Sequence, residues 1–182
     1  WRTLRGAMTQ GTWFGPKLFI FLEHDCKPNC WCHKFVDDTT LPEAFKSPEE
    51  TKMQTHANYM GEWCDTNDML INATKTKEMV LHFKKKAVVI PSLKVNGETI
   101  EKVECTKLLG IMLNNKLTWH DHIDYISAKA SKRLYLLVLL RRASMSQKDL
   151  VSYYLTVIRP VLEYAAPVWH PGLTKEQSAT LE

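Results

Sequence analysis

The chain has 182 residues, 45% of them apolar, which is enough to build a core for one domain or a domain with an appendage and excludes global disorder. Lys and Arg number 24 against 20 acidic residues, so the net charge of +4 permits a polyanionic partner without demanding one. No run of about 18 apolar residues occurs, which excludes a membrane-spanning helix, and five cysteines, an odd count, read as reduced thiols of an intracellular protein rather than a disulfide framework.

In chain order, "QGTWFGPKLF" is a loop bracketed by Gly11 and Gly15 that enters a helix at Pro16, with Leu18, Phe21 and Leu22 on one face. "HKFVDD" is too short for a helix and predicts a strand running into a turn at Asp37 and Asp38. Ser47, Pro48 and Glu50 make a capping-box pattern that predicts a helix over 48–65, with Met53, Ala57, Met60 and Cys64 as its apolar stripe. "EMVLHF" and "AVVIPSLKVNGETIEKVE" read as strands, the latter folded at Asn96-Gly97, a pair suited to a tight type I′ turn; "KLLGIMLN" adds one short strand.

From Thr118 the pattern turns helical. Thr118 and Asp121 predict a capping box opening a helix that runs to Arg142, with Ile123, Ile126, Ala130, Leu134 and Leu137 on one side and Lys129, Lys132 and Arg133 among its basic residues. Ser146 and Asp149 box the next helix, which Pro160 should stop or kink. The layout predicts an α+β unit over 1–113 followed by a helical appendage over 114–182.

Two adjacent carboxylates at a strand-to-turn transition repel each other unless a hard divalent cation sits between them and a phosphate, as phosphoryl transfer requires. A solvated turn is the alternative, since Asp is a common turn former. Cys26, Cys30, Cys32 and His33 raise zinc as another possibility, but the C-x3-C-x-C-H spacing is irregular for a structural site, and neighbouring strand residues point to opposite faces.

The ordered blocks "QGTWFGPKLF", "FVDDTTL", "WCDTNDMLINATKTKEM" and "KLLGIMLNNKLTWHDHI" resemble those of reverse transcriptases of the non-LTR, LINE-like retrotransposon kind. The resemblance implies a partial polymerase palm, an antiparallel sheet with helices on one face, followed by an all-helical thumb-like region, and RNA-directed DNA synthesis with Mg²⁺ or Mn²⁺ on an RNA template, a DNA primer and deoxynucleoside triphosphates. It implies further that Asp37 and Asp38 are metal ligands, Asp37 the more secure. The loop of Gln10, Gly11 and Gly15 would lie against the incoming nucleotide and template. Lys75 matches a basic position near the site, with Lys77 as a competing candidate, and Leu109, Gly110 and Ile111 match the turn that grips the primer terminus. Lys129, Lys132 and Arg133 are candidates for the nucleic-acid backbone. A cytoplasmic ribonucleoprotein and the nucleus are the implied locations, with no membrane.

Departures from the pattern are Phe35 where the family usually has Tyr and "GAMTQG" in place of the usual Val-Pro before the Gln. The family's palm also supplies a metal-binding Asp from a strand tens of residues before this loop, whereas only nine residues precede Gln10. The expectation is a palm-and-thumb fragment, inactive by itself, with a noncatalytic nucleic-acid-binding module as the alternative from another class.

Overall fold

In the computed structural model, residues 13–83 and 89–181 are described. The elements in order are α1 (Gly15–Leu22), β1 (His33–Phe35), β2 (Asp38–Thr40), α2 (Met53–Thr66), β3 (Lys77–Glu78), β4 (Lys94–Val95), β5 (Glu98–Thr99), β6 (Glu101–Lys102), β7 (Cys105–Leu108), β8 (Ile111–Asn114), α3 (His120–Arg142), α4 (Gln147–Tyr153), α5 (Arg159–Glu163), α6 (Ala166–Trp169) and α7 (Lys175–Leu181). The described strands form two-stranded ribbons only, and β1–β2, β4–β5 and β7–β8 are antiparallel hairpins. Among the described residues two compact units result, one drawn from 13–78 and 89–101, the other from 79–83 and 102–181. The division falls before β7, not at 113, because the β7–β8 hairpin packs with the helices that follow it: the Met112 backbone N–H donates to Nδ1 of His122 on α3 at 3.3 Å.

In the first unit α2 is the organising element. It begins at Met53, later than the capping-box pattern predicts, because Thr51 is extended at ψ 132° and Pro48–Glu50 form a separate 3₁₀ turn. Its cap comes from a distance. One Glu43 carboxylate oxygen accepts from the Thr51 hydroxyl at 2.6 Å and the other from the Lys52 N–H at 2.8 Å, placing negative charge where the helix dipole favours it. Burial would raise the Glu43 carboxyl pKa, but the Thr51 hydroxyl and the Lys52 N–H outweigh it and hold it below the usual range.

The buried face of α2 carries His56, Ala57, Gly61 and Cys64. Ala57 packs with Val95 and Ile100 into a small core bordered by Ile71, Ala73 and Leu93. Gln54 fastens α2 to β4, donating to the Lys94 carbonyl at 2.7 Å and accepting from its N–H at 3.0 Å. The β4–β5 hairpin turns on Asn96 (φ +50°) and Gly97 (φ +82°), both left-handed as a type I′ turn needs.

The second unit buries larger side chains. Ile123 and Ile126 of α3 join Val161 of α5 and Trp169 of α6, flanked by Trp119, Tyr125, Leu162, Ala166, Leu173 and Leu181. His122 sits inside this cluster, its ring edge-on to Trp169 at 5.3 Å and to Trp119 at 6.3 Å. Because its Nδ1 accepts from Met112, the neutral ring carries its proton on Nε2, which is buried and has no hydrogen-bond partner. Burial depresses the His122 pKa accordingly.

The start of α3 departs from the expected Thr118–Asp121 box. Asn114 does the fastening instead, donating to the Thr118 hydroxyl at 2.7 Å and the Asp121 carboxylate at 2.6 Å while accepting from the Thr118 N–H at 2.9 Å. The Ser146–Asp149 box does form, the Asp149 N–H reaching the Ser146 hydroxyl at 3.2 Å and that hydroxyl donating to the Asp149 carboxylate at 2.6 Å. Pro160 does not stop the helical run. Lacking an N–H, it leaves the turn before it without its usual bond, and Tyr154–Ile158 widens into a π turn between α4 and α5.

Candidate active site and nucleic-acid surface

The acidic pair lies at the end of the β1–β2 hairpin. The register pairs His33 with Thr40, Lys34 with Thr39 and Phe35 with Asp38, so Val36 and Asp37 are the two turn residues and Asp38 opens β2. Val36 takes φ +56°, a left-handed conformation that a β-branched residue rarely adopts and that costs roughly 1–3 kcal/mol. Phe35 (62% exposed), Val36, Asp37 and Asp38 all face solvent. Lys34 anchors the hairpin, its ammonium donating to the carbonyls of Glu23 and Cys26 at 2.7 Å each, in the turn that follows α1.

That turn brings in a carboxylate the motif reading missed. The Glu23 carboxyl pKa is raised, chiefly by burial, with Lys34 lowering it and the charge of Asp37 adding to the rise. No sequence pattern connects two residues brought near each other by a lysine tether. Among the described residues no three carboxylate, thiol or imidazole groups converge closely enough to hold one ion. Asp37 and Asp38 nevertheless suit Mg²⁺ in chemistry, since that ion takes hard oxygen donors from one or two carboxylates and completes its shell with phosphate oxygens and water.

Other expected site residues fall in several places. Gly15 opens α1, whose N-terminus has no side-chain cap; Gln10 and Gly11 lie outside the described residues. Lys75 is exposed in a turn organised by Asn72, which accepts from the Lys75 N–H through its side chain and its backbone at 3.1 Å each. Lys77 forms an ion pair with Glu101, so its ammonium is already engaged. Among the described residues Lys75 has no carboxylate partner, which sharpens the choice between the two. The five cysteines are free thiols, and Cys26 is buried with its Sγ 3.6 Å from Met60 Sδ.

In the second unit Leu109 (φ +45°) and Gly110 (φ +90°) form the β7–β8 turn, and Ile111 opens β8 opposite Leu108. The expected single strand here is therefore a hairpin. The Tyr164 hydroxyl donates to the Leu109 carbonyl at 2.9 Å, and a Cβ on Gly110 would lie 2.9 Å from the Tyr164 ring. The glycine is required by the turn and by Tyr164, whatever else approaches it. On α3, Lys129 and Lys132 are exposed, whereas Arg133 is half-buried and donates to the Val157 carbonyl within the π turn.

Three curated sequences, all from Drosophila melanogaster, align with nearly the whole chain. It is 22% identical over 182 residues to the probable RNA-directed DNA polymerase from transposon BS, covering 92% of the chain. It is 23% identical over 176 residues to the probable RNA-directed DNA polymerase from transposon X-element and 23% identical over 184 residues to the RNA-directed DNA polymerase from mobile element jockey, covering 90% and 92% of the chain. The chain spans about a fifth of the length of these relatives. No family model matches it, and no solved structure does. The resemblance to non-LTR retrotransposon reverse transcriptases read from the ordered motifs is thereby borne out.

Proposed function

We propose that the chain is a palm-and-thumb portion of a reverse transcriptase, adding deoxynucleotides to a primer 3′-hydroxyl on an RNA template. The similarity to three polymerases supports this reading. The observation that carries it is the hairpin turn that presents Asp37 and Asp38 side by side in solvent. Mg²⁺ or Mn²⁺ bound there would supply Lewis acidity toward the primer hydroxyl and the triphosphate. The chain's own part is to hold and orient. Asp37 and Asp38 would provide the oxygen donors, and Lys75, without a carboxylate partner among the described residues, would neutralise or protonate the departing pyrophosphate. Gln10, Gly11 and Gly15 would border the nucleotide, the Leu109–Ile111 turn the primer end, and Lys129 and Lys132 the backbone. Such an enzyme would act in a cytoplasmic ribonucleoprotein and in the nucleus.

A second reading, a noncatalytic nucleic-acid-binding module, is favoured by the lack of a third convergent ligand among the described residues. Primer extension on an RNA template separates the two. It should be run with this chain and with a version extended N-terminally by a palm strand carrying a further Asp. The catalytic reading expects Mg²⁺- or Mn²⁺-dependent synthesis by the extended form, lost on Asp37→Ala; retained RNA binding without synthesis by either form supports the module.

A further inference from the structure

Lys107, on β7 of the second unit, reaches across to α3. Its ammonium donates to the Tyr125 hydroxyl at 2.9 Å and lies 5.0 Å from the centre of the Tyr125 ring. Lys129, one turn further along α3, lies 5.8 Å from the same ring centre. Two ammonium groups thus converge on one phenol. An ammonium can only donate, so the Tyr125 oxygen is the acceptor toward Lys107, and its own proton remains available to a further acceptor. The phenol pKa is lowered, first by the hydrogen bond from Lys107 and further by the charge of both lysines, as expected where positive charge is in excess.

The nearby acids are engaged with other partners. Asp121, one turn before Tyr125, accepts from Asn114, and Asp124 pairs with His120 at 3.4 Å. Among the described residues neither Lys107 nor Lys129 is ion-paired with a carboxylate. Two cations and one hydroxyl proton therefore present three donors at one place, a set that suits an anion. Both lysines are exposed, so the place is open surface and not an enclosed pocket. Open surface suits a polymer, which gains affinity from many such contacts, better than a free nucleotide, which needs enclosure.

We propose that Lys107, Tyr125 and Lys129 form a clip for one backbone phosphate of a nucleic-acid strand lying over the β7–β8 hairpin and α3. The inference rests on the polymerase reading but names a contact of its own: Lys107 opens the last of the resembling blocks without a role assigned to it there, and Tyr125 lies beyond that block. It places the strand two residues from the Leu109–Gly110 turn, along β7.

The test is binding of a fluorescent single-stranded RNA and of an RNA–DNA duplex by the whole chain, fused to a solubility partner, across a range of NaCl concentrations. Lys107→Gln and Lys129→Gln should each lower the slope of log affinity against log salt by about one and weaken binding several-fold, whereas Lys148→Gln on α4 should leave the slope unchanged. Tyr125→Phe keeps the ring and its packing and should weaken binding roughly 3–10-fold with the slope intact. Unchanged slopes in both lysine variants overturn the clip while leaving nucleic-acid binding in place. Absence of binding by the parent chain at low salt removes the clip and the polymerase reading together. Inorganic phosphate and a deoxynucleoside triphosphate serve as competitors; displacement of the strand by either at micromolar concentration would assign the site to a free phosphate and overturn the strand.

Discussion

The hairpin that carries Asp37 and Asp38 and the cluster around Trp169 are built in opposite ways. Around Trp169, apolar side chains from α3, α5 and α6 close over one another, and even a histidine is drawn in without a partner for its Nε2. At the hairpin nothing closes. Phe35 and Val36 stand in solvent, α1 before it has no buried residue, with Phe21 81% exposed, and the tether is one lysine on two carbonyls. On the proposed reading, groups that would meet a ligand are left accessible and held by turn geometry, while stability is concentrated elsewhere. Substitutions in the two places should therefore separate chemistry from folding.

The largest effect on stability should come from Trp169→Ala, which removes a fully buried ring and its indole bond to the Tyr164 carbonyl. A loss of about 3–5 kcal/mol is expected, read by denaturant unfolding. A loss below 1 kcal/mol would mean that the cluster does not carry the second unit. Next comes Gly110→Ala. The left-handed φ and the 2.9 Å approach of the Tyr164 ring predict a loss of roughly 1–3 kcal/mol, visible as a lower melting temperature. An unchanged midpoint would show that Tyr164 moves away freely.

His122 gives the comparison a pH axis. Its folded-state pKa lies below the ordinary 6.5, so as pH falls through 6.5 the unfolded chain takes up a proton before the native one. Stability from this group is full above pH 6.5 and declines as pH drops from there toward the depressed folded value. His122→Asn keeps an acceptor for the Met112 N–H and cannot titrate, so urea melts between pH 7 and 5 should lose that slope. A slope as steep as the parent's would assign the acid sensitivity to other groups. The smallest effect is expected from Glu43→Gln in the first unit, about 0.5–1 kcal/mol for a weakened cap on α2. The parent should also lose this contribution as pH falls below 4.5 through the folded-state pKa of Glu43, whereas the Gln variant should not.

Local chemistry in the sequence was a good guide wherever the structure is itself local. Asn96-Gly97, the Ser146–Asp149 box, the helix entered at Pro16 and the turn at the acidic pair all depend on residues within a few positions of one another. The start of α2 was misplaced because its cap, Glu43, arrives from a loop nine residues before Lys52. Residues 107–114 read as one short strand and not as two, since the turn at Leu109-Gly110 sits inside an apolar run and the hairpin's packing surface, α3, lies downstream. At the site the paired carboxylates were plain from their adjacency. The nearness of Glu23 to Asp37 and the crossing of Lys107 to Tyr125 are tertiary facts with no periodic signature. The helical pattern of α3 likewise made Arg133 look like a surface cation, whereas the π turn before Pro160 gives it a carbonyl to hold.

The measurement that tests this separation most directly is Asp37→Ala in the N-terminally extended form, assayed in parallel for RNA-templated primer extension with Mg²⁺ or Mn²⁺ and for thermal unfolding. The account predicts that synthesis falls by roughly 10³-fold or more while the melting midpoint stays within a degree or two, because an exposed turn carboxylate contributes little to stability. Synthesis retained by the variant, or lost only together with the fold, would contradict it.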